Sequence, residues 1–144
     1  MYQMALRQDW SVVYHHLQNS LFAEQMVCSM STQLFFIPRT QDLEGNIEMH
    51  NHLVPASYHR ITAAGSAYRL QSDEHHESIV ETLVSCINNA KQEDKGVREG
   101  LQIMREAAPV DVKPFIDAII GWQDQAEQTL ALAEKMVQQR GWFI

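Results

Sequence analysis

The sequence predicts an all-α protein folded as an up-down-up-down four-helix bundle. Apolar residues recur with the 3.6-residue period of a helix face over four stretches of about 28 residues each. Short joins near residues 38–42, 70–73 and 107–111 separate these stretches, and helices joined in this way pack as antiparallel neighbours. No segment shows a competing strand pattern. We therefore expect one helical domain over residues 1–144.

The first predicted helix extends from Asp9 to Phe36. Pro38 ends it, because proline lacks the amide hydrogen that continues a helix. The apolar residues that define its face are Trp10, Val13, Leu17, Leu21, Val27, Cys28, Leu34 and Phe35.

The second predicted helix covers residues 42–70 and contains Pro55. A proline inside a helix removes one backbone hydrogen bond and clashes with the preceding turn. We therefore expect this helix to be kinked near residues 51–55 or split into two pieces there. The residues that identify the helix lie on one face at spacings of seven and four: Ile47, Val54, Tyr58, Ile61, Gly65 and Tyr68.

The third predicted helix starts after an N-cap at Ser72 or Asp73. Gly96 and Gly100 weaken its second half by about 1 kcal/mol each relative to alanine. Its apolar face consists of Val80, Leu83, Val84, Ile87, Ala90, Val97, Leu101 and Met104.

The fourth predicted helix has Asp111 as its N-cap and Pro114 in its first turn, where proline is tolerated. It ends at Gly141. Its apolar residues are Val112, Ile116, Ile119, Ala126, Leu130, Ala133 and Val137.

Charge and composition exclude several classes of partner. The formal net charge is −7 with only 11 scattered basic residues, which argues against nucleic-acid binding. No stretch approaches the ~20 apolar residues that span a bilayer, and the N-terminus does not resemble a signal peptide. We therefore expect a cytoplasmic protein with no membrane partner.

Cys28 and Cys86 lie within apolar patterns, so we expect both to be reduced and buried.

The last two predicted helices resemble a known family. The segments "ETLVSCINNAKQE" and "PFIDAIIGWQDQAEQTLALAEKMVQQRGWF", within residues 78–143, are similar to the helical hairpin of the spore coat protein F family. The terminal Arg140, Gly141, Trp142 and Phe143 match that family's ending, except that a tyrosine is usual where Phe143 stands. The resemblance implies a ferritin-like bundle, a structural role in a spore coat, and no catalytic residue.

A physical role follows for the same C-terminal residues. Gly141 can take the left-handed conformation that ends a helix, which would turn Trp142 and Phe143 across the end of the bundle. Burying each aromatic ring there would contribute about 2–3 kcal/mol. We therefore predict that these three residues cap the core.

Polar residues interrupt the apolar faces near the middle of three helices. These residues are Glu24, Lys91, Gln123 and Glu127. Because a buried carboxylate without partners is costly, we predict that Glu24 pairs with Lys91 and that Gln123 or Glu127 completes the hydrogen bonds. Such a buried polar layer would fix the register of the helices, or it would be the remnant of a metal site.

A metal site is the alternative functional hypothesis. All seven histidines lie within the first 76 residues, but the paired Glu-x-x-His motif of ferritin-like metal proteins is absent. His50 and His52 lie about 200° apart around a helix, so they cannot both bind one ion. The candidate ligands for iron or manganese are Glu24, His50, His76 and Glu127.

Three functional hypotheses therefore follow from the sequence, and the third of them is a small-molecule binding pocket opened where Pro55 kinks the second helix. The first is a non-enzymatic, spore-coat-like bundle without a cofactor, acting through contacts with other coat-type proteins or with itself as a homodimer. Long helices that contain several aromatic residues have more apolar surface than one thin bundle needs, which favours self-association; these residues are Phe22, Phe35, Phe36 and Trp122. The second is a metal-binding ferritin-like protein. Motifs for phosphate binding, serine hydrolysis and zinc peptidase chemistry are absent.

Overall fold

The described residues form four long helices. A computed structural model describes residues 2–37, 44–72 and 77–139, with side chains from residue 9 onward. Helix α1 is Tyr2–Gln33, followed by a 3-10 turn at Leu34–Phe36; α2 is Asn46–Leu70, α3 is Glu77–Ala107 and α4 is Lys113–Gln139. These ranges contain no strand, and the prediction of an all-α four-helix bundle is confirmed.

The helices form a ring in which each contacts two others. Helix α2 packs most extensively against α3, and α1 against α4, while the α1–α2 and α3–α4 contacts are smaller. Salt bridges between α3 and α4 join Lys91 to Glu134, Arg98 to Glu127 and Arg105 to Asp117. The residue numbers rise along α3 as they fall along α4, so these two helices are antiparallel. The pairs Ser20–Arg60 and Ser31–His50 show the same for α1 and α2, and Met49–Gly100 and Arg60–Asp94 show it for α2 and α3. Successive helices are therefore antiparallel, as predicted.

Helix α2 continues through Pro55. It starts after Gly45, whose φ of 95° lies in the left-handed region that favours glycine, and it ends at Leu70. Of the two outcomes expected at Pro55, a split into two helices does not occur.

The aromatic and β-branched aliphatic side chains Ile47, Val54, Tyr58, Ile61 and Tyr68 of α2 lie on its outer face. An apolar face of a helix normally contacts the core, but here five such residues are more than half exposed: Ile47 (71%), Val54 (70%), Tyr58 (65%), Tyr68 (62%) and Ile61 (55%). The buried face carries four alanines together with Met and Leu residues: Met49, Leu53, Ala56, Ala63, Ala64, Ala67 and Leu70. The seven-residue repeat thus identified the helix but marks its outer face.

Glycines allow α2 to approach α3 closely. A Cβ atom on Gly100 would lie 2.5 Å from Met49 Cβ and 2.8 Å from the carbonyl oxygen of Gly45. A Cβ atom on Gly96 would lie 2.3 Å from the ring of His52. The residues that weaken α3 as an isolated helix therefore permit its packing against α2.

Two smaller predictions differ from the structure. Cys86 is buried, and burial raises the pKa of its thiol, but Cys28 is exposed, so the prediction that both cysteines are buried is wrong. Cys28 lies on the outer side of α1, next to the buried Val27.

Helix α4 starts at Lys113, two residues after the predicted N-cap Asp111. His76 and the predicted cap of Gly141, Trp142 and Phe143 lie outside the described residues.

Candidate functional site

A layer of polar residues separates two apolar clusters inside the bundle. One cluster contains the first part of α1, the end of α2, the start of α3 and the end of α4. The other contains the opposite halves of the same helices. The buried polar residues between them are Ser20, Glu24, Arg60, Asp94 and Gln123.

Arg60 is the centre of this layer and its side chain is fully buried. Its Nη1 and Nη2 atoms donate to Asp94 Oδ1 at 2.8 Å and Oδ2 at 2.7 Å. Nη1 also donates to Glu24, and Nε donates to Ser20 Oγ at 2.8 Å. Ser57 donates to Glu24 Oε1 at 2.6 Å. One arginine of α2 therefore joins α1 to α3.

Glu24 and Arg60 have shifted pKa values. Burial raises the pKa of Glu24 above its ordinary value, although Arg60 and the hydrogen bond from Ser57 act in the opposite direction. Burial alone would lower the pKa of Arg60, but its hydrogen bonds and charge interactions with Asp94 and Glu24 raise it overall. Arg60 therefore stays charged, and Glu24 is the member of this pair whose protonation changes with pH.

The predicted pair between Glu24 and Lys91 is wrong. Glu24 is buried, but its cationic partner is Arg60. Lys91 is 48% exposed and binds Glu134 on α4, with Nζ 2.8 Å from Oε2. The pair differs because α2, rather than α3, supplies the buried cation.

Gln123 and Glu127 belong to a second network, between α3 and α4. Gln123 is buried and donates to Glu127 Oε2 at 3.0 Å. Arg98 Nη2 donates to the same oxygen at 2.9 Å and also contacts Asp124. The predicted layer is therefore divided: Glu24 and Gln123 lie in the core, and Glu127 is half-buried at its edge.

The candidate metal ligands are held by different partners. His50 Nε2 lies 3.2 Å from Ser31 Oγ, its ring packs on Phe35, and burial lowers its pKa. Glu24 binds Arg60, and Glu127 binds Arg98. Residues 9–37, 44–72 and 77–139 contain no group of three or more His, Cys, Asp or Glu side chains that could hold one metal ion.

The raised pKa of Glu24 predicts a pH-dependent stability. A carboxyl group whose pKa is higher in the folded state than in the unfolded state binds its proton more tightly when the protein is folded, so it stabilises the fold at low pH. For Glu24 this contribution is lost as the pH rises from the ordinary pKa of 4.5 through the raised pKa of the folded state. We expect the free energy of unfolding of Glu24→Gln to increase relative to the unmodified protein over this interval. Urea denaturation at successive pH values measures it, and a relative decrease would contradict the assignment.

Sequence reasoning missed Arg60 and Asp94. Asp94 lies four residues after Ala90 and three before Val97, so the apolar face of α3 already included its position. Arg60 could be found only by taking the alanine-rich face of α2 as the buried one, because it lies between Ala56 and Ala63 on that face. The larger residues on the opposite face concealed this alternative.

The outer face of α2 is the second candidate site. We call Ile47, Val54, Tyr58, Ile61 and Tyr68 the α2 stripe. Charged residues are scarce beside it: between residues 10 and 33, the only Asp, Glu, Lys or Arg of α1 is the buried Glu24. The charged side chains of the described helices are concentrated on α3 and α4. The α1–α2 side of the bundle therefore carries few charged side chains.

A groove borders this stripe between α1 and α2. Its volume is about 350 Å³. It is lined by Tyr14, Gln18, Leu21, Ile61, Ala64, Gly65 and Tyr68. A Cβ atom on Gly65 would have no neighbour within 4 Å, so this glycine leaves an open depression beside the stripe.

None of the helices in the described ranges has both the length and the hydropathy needed to cross a membrane.

The geometry of the described residues is the basis for proposing a function, because the comparisons with known proteins found no match. No family model, curated protein or solved structure matches this chain.

Proposed function

We propose that this protein is a non-enzymatic helical bundle that acts through protein–protein contacts and associates with itself as a homodimer. The observation that carries the proposal is the α2 stripe, an apolar surface on the outside of the bundle. A coat-like structural role, in the cytoplasm or in a spore coat, agrees with the resemblance to the spore coat protein F family. The ferritin-like classification belongs to the same proposal.

The composition of the stripe supports a binding surface. Contiguous apolar patches on soluble proteins commonly mark interaction sites, and the centres of interfaces are depleted in charge and enriched in aromatic residues. The stripe combines two tyrosines with three β-branched aliphatic residues and contains no charge. Covering it would remove apolar surface from water at about 25 cal/mol per Å².

The arrangement of the core supports a structural role for its polar groups. Arg60 uses its guanidinium nitrogens on Glu24, Asp94, Ser20 and the carbonyl oxygen of Ala126. These groups bind one another and tie three helices together with the backbone of the fourth. No geometry in the described residues favours the alternative, a site for iron or manganese at Glu24, His50, His76 and Glu127.

Self-association is measured directly by sedimentation equilibrium over a hundredfold range of protein concentration. We expect a species with twice the 16.6 kDa mass of the chain, in reversible equilibrium with monomer. Raising the salt concentration should not dissociate it, because an apolar contact is not screened. A strict monomer at every concentration would overturn the homodimer.

A further inference from the structure

We propose that the α2 stripe binds the α2 stripe of a second copy, with the two helices antiparallel about a two-fold axis near the middle of α2. This inference rests on the proposed self-association and specifies the surface and its geometry. Four independent features of the described residues support it: the spacing of the stripe, the depression at Gly65, the charges at the ends of the stripe, and its size.

The spacing of the stripe matches that of a helix-pairing seam. Ile47, Val54, Ile61 and Tyr68 are separated by seven residues, and Tyr58 lies four residues after Val54. Apolar residues at alternating spacings of three and four form the seam along which two helices pack as a coiled coil. A stripe that packed only against irregular loops would not need this repeat. The repeat therefore indicates another long helix as the occupant.

The depression at Gly65 gives a register for that helix. An antiparallel partner that places its Val54 over Gly65 also places its Ile61 against Tyr58. The groove beside Gly65 is about 350 Å³, large enough to receive an aliphatic side chain. By two-fold symmetry each copy provides both the side chain and the depression, so the contact occurs twice.

The charges at the two ends of α2 distinguish antiparallel from parallel pairing. Glu48 is exposed near the start of the helix and Arg69 is exposed near its end, on the same side of the stripe. Antiparallel pairing in the register above brings Glu48 of one copy within one turn of Arg69 of the other. Parallel pairing would instead place the two Glu48 side chains at the same end of the seam but on opposite sides of it, so Glu48 would not meet Arg69. Arg69 can bind Glu48 in addition to its partners within the chain, because a guanidinium has five donors and can bind several acceptors.

The size of the surface suits a dimer. Helix α2 has 25 residues, so it is about 37 Å long. Together with the adjoining side of α1, about 10 Å away, it presents a face of roughly 37 by 20 Å. The resulting area of about 700 Å² per copy approaches the ~800 Å² per partner that stable complexes bury.

The first test substitutes the centre of the stripe. Ile61→Asp should weaken dimerisation by about 100-fold, because the symmetry buries the new carboxylate twice and each burial costs about tenfold or more. Leu132→Asp is the matched control: Leu132 is 46% exposed on α4, so the same substitution there should leave the dimer dissociation constant unchanged. Circular dichroism and urea denaturation check that both variants fold. A dimer unaffected by Ile61→Asp would overturn this inference but leave self-association standing, whereas a monomeric unmodified protein would overturn both.

The second test determines orientation by disulfide trapping. Cys28 is exposed, so the background is Cys28→Ser. Val54→Cys alone should not cross-link on oxidation, but a mixture of Val54→Cys and Gly65→Cys chains should give a covalent heterodimer. Cross-linking of Val54→Cys with itself would show parallel pairing, and absence of the mixed product from a sample that sediments as a dimer would exclude the proposed register. Either result would overturn the antiparallel arrangement.

Discussion

Replacing Arg60 with methionine should lower the free energy of unfolding by about 3–5 kcal/mol, the largest effect of any substitution considered for this protein. Methionine fills a similar volume but leaves Glu24 and Asp94 buried without their shared cation. Removing one member of a buried ion pair costs more than the pair itself contributes, because the remaining charge stays desolvated. Urea denaturation followed by circular dichroism measures this loss.

Arg98→Met provides the matched control. Arg98 also joins two carboxylates, Asp124 and Glu127, but its side chain is 32% exposed. Water screens such a pair, so we expect a loss below about 1 kcal/mol. Equal losses for the two arginines would show that burial does not set the strength of the Arg60 network.

A triple substitution separates the role of charge from that of packing. Glu24→Leu, Arg60→Met and Asp94→Leu together remove all three charges and should recover most of the stability lost in Arg60→Met. If the triple variant is as unstable as the single one, the shape of the layer rather than its charge balance holds the helices.

Gly100→Ala should have the second largest effect, a loss of about 1–3 kcal/mol in the free energy of unfolding. In an isolated helix the same change would be favourable by about 1 kcal/mol. In the bundle, however, the added methyl group would lie 2.5 Å from Met49 Cβ and 2.8 Å from the carbonyl oxygen of Gly45. Neither atom can rotate away, so α2 and α3 would have to separate.

Two other glycines serve as controls in the same denaturation experiment. Gly121 lies on α4 with no atom within 4 Å of an added Cβ, so Gly121→Ala should stabilise the protein by about 0.5–1 kcal/mol. Gly96→Ala should cost less than Gly100→Ala, because its clash is with the partly exposed His52 ring, which can turn away. Equal effects at Gly100 and Gly121 would contradict the close approach of α2 and α3.

The buried faces of three helices could be read from the sequence. In α3 and α4, residues such as Leu83, Leu101, Ile119 and Ala133 are buried as their spacing predicts. The position of Glu24 within the apolar face of α1 likewise predicted its burial. In these helices only one face is apolar, so periodicity alone determines which face contacts the core.

Only the tertiary structure decided the orientation of α2 and the partner of Glu24. Helix α2 has two faces that could be buried: one with large β-branched and aromatic residues, the other with alanines around Arg60. Periodicity shows which residues share a face but not which face a neighbour covers. Gly96 and Gly100 let α3 approach His52 and Met49 of α2 closely. In this arrangement the face with the alanines turns inward and carries Arg60 to Glu24 and Asp94, which leaves the α2 stripe outside. The sequence by itself determined the four helices and most of the core, whereas the polar centre and the outward stripe depend on how closely two helices can pack.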